Sequence, residues 1–76
     1  MKRPKPITAE TAADIVSACR HAAGHETVYA AGKAAAVDDG TIHRIESGKR
    51  DPSVGKLRAL LAAMGWRLTL VAERDP

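Results

Sequence analysis

Phenylalanine is absent from this 76-residue chain, and Tyr29 and Trp66 are its only aromatic residues. A small sandwich or barrel draws its core from aromatic and β-branched side chains, so this scarcity argues against both. A single cysteine, Cys19, excludes an internal disulfide. Stability then has to come from apolar burial, self-association or both, at a length near the lower end of what folds without staples. No apolar run approaches the roughly 20 residues that span a bilayer. The start, Met1-Lys2-Arg3-Pro4-Lys5-Pro6, lacks the apolar segment of a signal peptide, so a cytoplasmic address without a membrane partner is expected. There is no Gly-rich phosphate loop, and serine occurs only at Ser17, Ser47 and Ser53, two of them at expected turns or caps. No nucleophile, base and orienting acid converge by spacing, so no enzyme is expected. Cys19, His21 and His25 lie near one another in sequence, but no suitably spaced fourth ligand accompanies them, and neither metal nor cofactor is expected.

What the chain has instead is alanine, which favours closely packed helices and an all-α fold. Residues 1–7, with three cations and two prolines among the first six, are expected to form a disordered basic arm. Thr8 or Thr11 can cap a first helix, and Ala12, Ile15, Val16, Cys19 and Ala23 recur at helical spacing before Gly24 stops it. Glu26 or Thr27 opens a second helix that contains Gly32. Glycine costs about 1 kcal/mol against alanine there, which is explained if a neighbouring helix approaches closely. Val37 should plug the following turn, and Asp38 can cap a third helix by accepting from backbone N–H groups. Ser53 caps a fourth helix with Leu57, Leu60, Leu61 and Met64 inward and Gly65 at its end. From Trp66 to Val71 the pattern alternates, with Trp66, Leu68 and Leu70 on one face, as in a strand. No second strand is legible, so pairing with another copy about a two-fold axis is the economical solution. The expected organisation is a helical domain over 8–65 and a C-terminal dimerisation strand and tail over 66–76.

The segment Thr41-Ile42-His43-Arg44-Ile45-Glu46-Ser47-Gly48-Lys49-Arg50-Asp51-Pro52-Ser53 carries the functional signal. It reads as a short helix with two isoleucines on one face and His43 and Arg44 on the other. Gly48 ends that helix and a basic pair follows. The overall balance of 12 Lys plus Arg against 9 Asp plus Glu decides little. Placement decides more, because residues 41–58 carry five basic side chains against Glu46 and Asp51. A polar helix beside a basic loop suits an anionic partner, with duplex DNA foremost. Thr41, His43 and Arg44 are positioned to read base edges, Arg44 favouring guanine, against the alternative of a merely solvated face. Asp39 can accept from a cytosine amino group or simply stabilise the helix start. Lys49 and Arg50 are candidate phosphate contacts, with Lys33 and Lys56 behind them. Lys2, Arg3 and Lys5 could enter a minor groove.

From Ile15 to Val71 the chain resembles the Cro/CI-type (XRE) helix-turn-helix domain, most closely the HipB-type antitoxin-repressors. The resemblance rests on Arg20, Gly24, Ala35-Ala36-Val37, the thirteen-residue segment above, and Leu60-Leu61-Ala62-Ala63-Met64-Gly65-Trp66-Arg67-Leu68-Thr69-Leu70. It implies a lambda-repressor-like domain of four to five helices whose C-terminal strand pairs across a homodimer. It implies a repressor that binds an inverted repeat of double-stranded DNA, autoregulates its operon, and has a cognate toxin or kinase as a further partner. DNA contacts would fall at Thr27, Asp39, Gly40, Thr41, His43, Arg44, Lys49 and Arg50. Arg20 and Glu46 would form a buried structural ion pair. The chain departs from the family pattern in having Val28 where glutamine commonly follows the threonine, and Asp38, Asp39 and Gly40 where Ser, Arg or Gln are common. Those departures motivate an alternative, a protein-binding antitoxin or adaptor module with a decayed DNA-binding face.

Overall fold

The computed structural model describes residues 5–76, so the expectations for Lys2 and Arg3 lie outside the described residues. Four helices form in order: α1 (Ala12–Ala22), α2 (Val28–Ala35), α3 (Asp39–Glu46) and α4 (Val54–Ala63). No fifth helix and no strand occur among the described residues.

Three of the four helix starts follow from a short hydroxyl side chain. Thr11, Thr27 and Ser53 stand in extended backbone, and their hydroxyls accept from the N–H groups of Asp14, Ala30 and Lys56 respectively. These bonds satisfy donors that the first helical turn leaves without partners. Asp38 breaks the pattern. It occupies the N-cap position of α3, but its carboxylate makes no capping bond to the backbone. It turns instead to Thr41 and Arg44, correcting the capping role expected for it.

The ends of α1 and α4 are closed in the same way. Gly24 and Gly65 adopt φ of +86° and +89°. The N–H of His25 then donates to the Arg20 carbonyl at 3.1 Å, and that of Trp66 to the Leu61 carbonyl at 2.8 Å. These are the long-range closures of a Schellman ending, and the second turns the chain back toward the core at Trp66.

The core is one cluster drawn from every helix: Val16 and Cys19 from α1, Ala31 from α2, Ile42 and Ile45 from α3, Leu60 and Leu61 from α4. Ile7 is half-buried against it, so the last residue of the expected disordered arm is packed. Ala23, expected on the apolar face, is the exposed C-cap residue of α1. Burial pushes the Cys19 thiol above its ordinary pKa, because a thiolate is poorly solvated there.

The C-terminal segment departs most from expectation. Residues 66–76 carry no regular secondary structure. A strand exists through its ladder, and a single chain offers this segment no edge to pair with. Its apolar alternation is expressed differently. Trp66 and Leu68 pack half-buried against the core of their own chain, whereas Leu70 and Val71 are 66% and 77% exposed.

Gly32 fixes how α2 meets α3. A Cβ built on it would stand 2.6 Å from the Val37 carbonyl oxygen and 3.2 Å from Asp39 Cα. The same turn places Ala36 in left-handed backbone at φ 56°, the only non-glycine residue with positive φ among those described. Gly32→Ala should therefore destabilise the fold by about 1–3 kcal/mol despite the better helix propensity of alanine. Urea denaturation monitored through Trp66 fluorescence checks this, and an unchanged or raised midpoint would contradict the close approach.

Candidate nucleic-acid interface

Two helices and the loop after them build the candidate surface. α3 packs against both α1 and α2. Ile42 and Ile45 face inward with relative exposures of 0% and 3%. With that face committed to the core, helical geometry sends His43 and Arg44 outward, and both are exposed. Asp39, Gly40 and Thr41 lie half-buried in the first turn. Thr27 is exposed at the start of α2, its hydroxyl occupied by the Ala30 N–H.

The scaffold beneath this surface is held by Arg20 and Glu46. The Arg20 Nε–H donates to Glu46 Oε2 at 2.7 Å and Nη2 donates to Oε1 at 2.9 Å, a bidentate pair. Nη1 donates to the His25 carbonyl at 2.9 Å. One guanidinium thus joins α1, the last residue of α3 and the loop leading to α2. Hydrogen bonding to Glu46, opposed by burial and aided by its charge, raises the Arg20 pKa still further. The side chains are only 8% and 12% exposed, so removing one partner strands the other's charge. Arg20→Met or Glu46→Leu should each cost about 3–5 kcal/mol, while the two combined should recover much of the loss. Thermal unfolding of the three variants tests this; additive losses in the double variant would show that the charges are not coupled.

The basic loop is tied directly to α3. The Arg44 carbonyl accepts from the Arg50 N–H at 3.1 Å and from the Ser47 hydroxyl at 3.2 Å. Gly48, at φ +78°, lets the chain turn into that loop. Lys49 and Arg50 are both exposed there, and Lys56 is exposed in the first turn of α4. Lys33 lies apart on α2, its ammonium 5.6 Å from the centre of the Tyr29 ring. That distance permits a cation–π contact, which the sequence pattern did not reveal although i to i+4 spacing carries it.

Sequence reasoning also missed what the first turn of α3 does with its charges. Asp38 Oδ2 accepts from the Thr41 hydroxyl at 3.2 Å and lies 3.6 Å from Arg44 Nη2. The same Nη2 donates to Thr41 Oγ1 at 3.3 Å. The i, i+3 and i+6 spacing of these three residues was the available signal. Such an exposed pair adds only about 0–1 kcal/mol to stability. Its consequence is where it puts the guanidinium.

A second feature sits between α3 and α4. A groove of about 330 Å³ is floored by Val37, Ile45, Pro52, Ala59 and Leu60, with Arg50 and Lys56 at its sides. No cluster of three metal-ligating side chains occurs among the described residues. None of the described helices is long and apolar enough to cross a membrane.

Residues 11–74 match the family model described as a helix-turn-helix domain. No curated protein and no solved structure matches the chain.

Proposed function

Since the chain belongs to the helix-turn-helix domain family, we propose that it is a sequence-specific DNA-binding transcriptional regulator. The observation that carries this reading is the division of α3. Its isoleucine face is buried, its His43–Arg44 face is exposed, and the loop bearing Lys49 and Arg50 is bonded to the Arg44 carbonyl. α3 then enters the major groove, with Thr41, His43 and Arg44 at base edges and Asp39 and Gly40 at the groove mouth. Lys49, Arg50 and the start of α2 at Thr27 lie along the phosphates. The regulator acts as a repressor of its own operon, on an inverted repeat with half-sites about one helical turn apart. Its antitoxin-like role is supported by the resemblance of the segment from Leu60 to Leu70 to HipB-type repressors, and a cytoplasmic address by the DNA on which it would act.

Arg44→Ala should lower affinity for the preferred duplex by about 1–3 kcal/mol without altering the fold. The check is fluorescence polarisation on a duplex selected from a random library, alongside circular dichroism. Equal loss on every sequence would reduce Arg44 to a phosphate contact. Binding should also weaken steeply with salt, since each neutralised phosphate contributes a slope of about −0.9 in log K against log salt.

The homodimer forms through the C-terminal segment. Trp66 and Leu68 anchor that segment to its own core, and the exposed Leu70 and Val71 supply apolar surface for a second copy. Leu70→Asp should yield monomers in sedimentation velocity while α-helical content is kept. A dimer that survives the change would place the interface elsewhere.

The apolar groove between α3 and α4 favours a second reading, a protein-binding antitoxin or adaptor module. It predicts no DNA binding at low salt together with tight binding to the product of a neighbouring gene.

A further inference from the structure

Asp38 presents a carboxylate, 67% exposed, at the end of α3 where phosphates would approach. On charge alone this is a liability for a DNA-binding surface. The geometry gives it a use. Arg44 is drawn back along the helix toward the N-terminus, with Nη2 held between Thr41 Oγ1 at 3.3 Å and Asp38 Oδ2 at 3.6 Å. Thr41 is itself fixed by donating to that Asp38 oxygen at 3.2 Å. The path of the guanidinium runs over Gly40, where a Cβ would stand 3.1 Å from Arg44 Nη1 and 3.3 Å from Asp38 Oδ2. Nη1 has no hydrogen-bond partner among the described residues, which leaves its N–H groups available to an acceptor.

We propose that Asp38 is a positioning residue for Arg44, acting with Thr41 and over the notch left by Gly40, and that it makes this surface selective for guanine rather than merely adhesive. The inference rests on the reading of α3 as the base-contacting helix. Two physical effects underlie it. An arginine in the middle of an exposed helix ordinarily spreads over many rotamers, and much of its binding energy goes into ordering it. Holding Nη2 removes part of that cost for one orientation only. The second effect is repulsion. The Asp38 carboxylate disfavours phosphate on every sequence alike, whereas the gain from Arg44 is realised only where guanine offers O6 and N7. That common penalty lowers binding to all sequences but cancels from their ratio, so the preference for guanine rests on the held guanidinium while the repulsion limits adhesion.

Loss of Asp38 therefore moves two measured quantities in opposite directions: affinity for a scrambled duplex rises and the preference for guanine falls. A folding defect would weaken that affinity, and the loss of a simple phosphate contact would also weaken it. Gly40 supplies an independent handle. Alanine is the better helix former, so Gly40→Ala should raise the melting temperature while its methyl group displaces the guanidinium.

The test uses the full chain. A duplex is first selected from a random library with the wild-type protein. Wild type, Asp38→Asn, Gly40→Ala, Arg44→Ala and the Asp38→Asn/Arg44→Ala double variant are then titrated by fluorescence polarisation. The probes are the selected duplex, the same duplex with its single guanines replaced in turn, and a scrambled duplex. Asp38→Asn should bind the scrambled duplex several-fold more tightly and lose about tenfold of the preference for one guanine. Gly40→Ala should lose a similar preference with a higher melting temperature. In the Arg44→Ala background, Asp38→Asn should change that preference no further. If wild type enriches a sequence but Asp38→Asn keeps the full preference, the positioning role is overturned and the DNA reading stands. Uniform weakening with a lowered melting temperature overturns it in the same way. If wild type enriches no sequence, the DNA reading falls and the positioning role with it.

Discussion

The Arg20–Glu46 pair is the constraint on which the candidate surface depends. α3 has eight residues, too few to hold a helix in water by its own hydrogen bonds. Its two isoleucines secure it to the core at its middle, but apolar contact is non-directional and leaves rotation about that contact poorly determined. The bidentate bond from Arg20 reaches the last residue of α3, and its third bond reaches the His25 carbonyl before α2. Three segments are thereby fixed relative to one another through one planar group. Lysine could not do this, because a point charge lacks the fork that sets orientation as well as distance.

The other end of α3 is set by close packing, backed by a backbone hydrogen bond in the turn before it. Gly32 allows the Val37 carbonyl to close onto α2 at a distance no side chain would permit, with Asp39 packed tightly beside it. Ala36 accepts left-handed backbone at the same turn, a conformation that costs an alanine about 1–2 kcal/mol. That cost is tolerated because the turn brings Val37 against the core and lets its N–H reach the Gly32 carbonyl at 2.9 Å. Polar fixation at one end and steric fixation at the other leave α3 little freedom to tilt. This suits a helix whose outward side chains must meet fixed positions on a partner.

Much of this was legible in the sequence because it is local. The hydroxyl cap at Ser53, the caps at Thr11 and Thr27 as one of two candidates each, the glycine endings at Gly24 and Gly65, and the inward Ile42 and Ile45 all follow from spacing within a few residues. The close approach at Gly32 was legible as an otherwise unfavourable glycine inside a helix. Two features were not. The segment after Gly65 has strand-like alternation, but alternation specifies which side chains share a face and not what covers that face. Trp66 and Leu68 find cover on their own core, leaving only Leu70 and Val71 to the solvent. Asp38 was read as a cap by residue type, yet its carboxylate had a competing partner. A cap bond to a neutral N–H and an arrangement with Thr41 and a charged guanidinium are close in energy, and residue identity alone does not rank them.

That competition bears on how acidic residues at the start of the proposed base-contacting helix should be weighed. Counted as charges, Asp38 and Asp39 oppose an anionic partner and mark a surface that has lost its use. Charge counting treats each carboxylate as independent of the cations around it. Here Asp38 lies within 3.6 Å of the one arginine on the exposed face of α3, and the two share Thr41 between them. The local field near the helix start is consequently that of a dipole with its positive end on the Arg44 fork, not that of a bare anion. A dipole of this kind attracts an acceptor placed at its positive end and repels one placed elsewhere. Departure from a basic pattern at this position is therefore compatible with a more selective surface as well as with a weaker one, and total charge cannot tell them apart. Orientation can, because only the selective surface requires the guanidinium to be held.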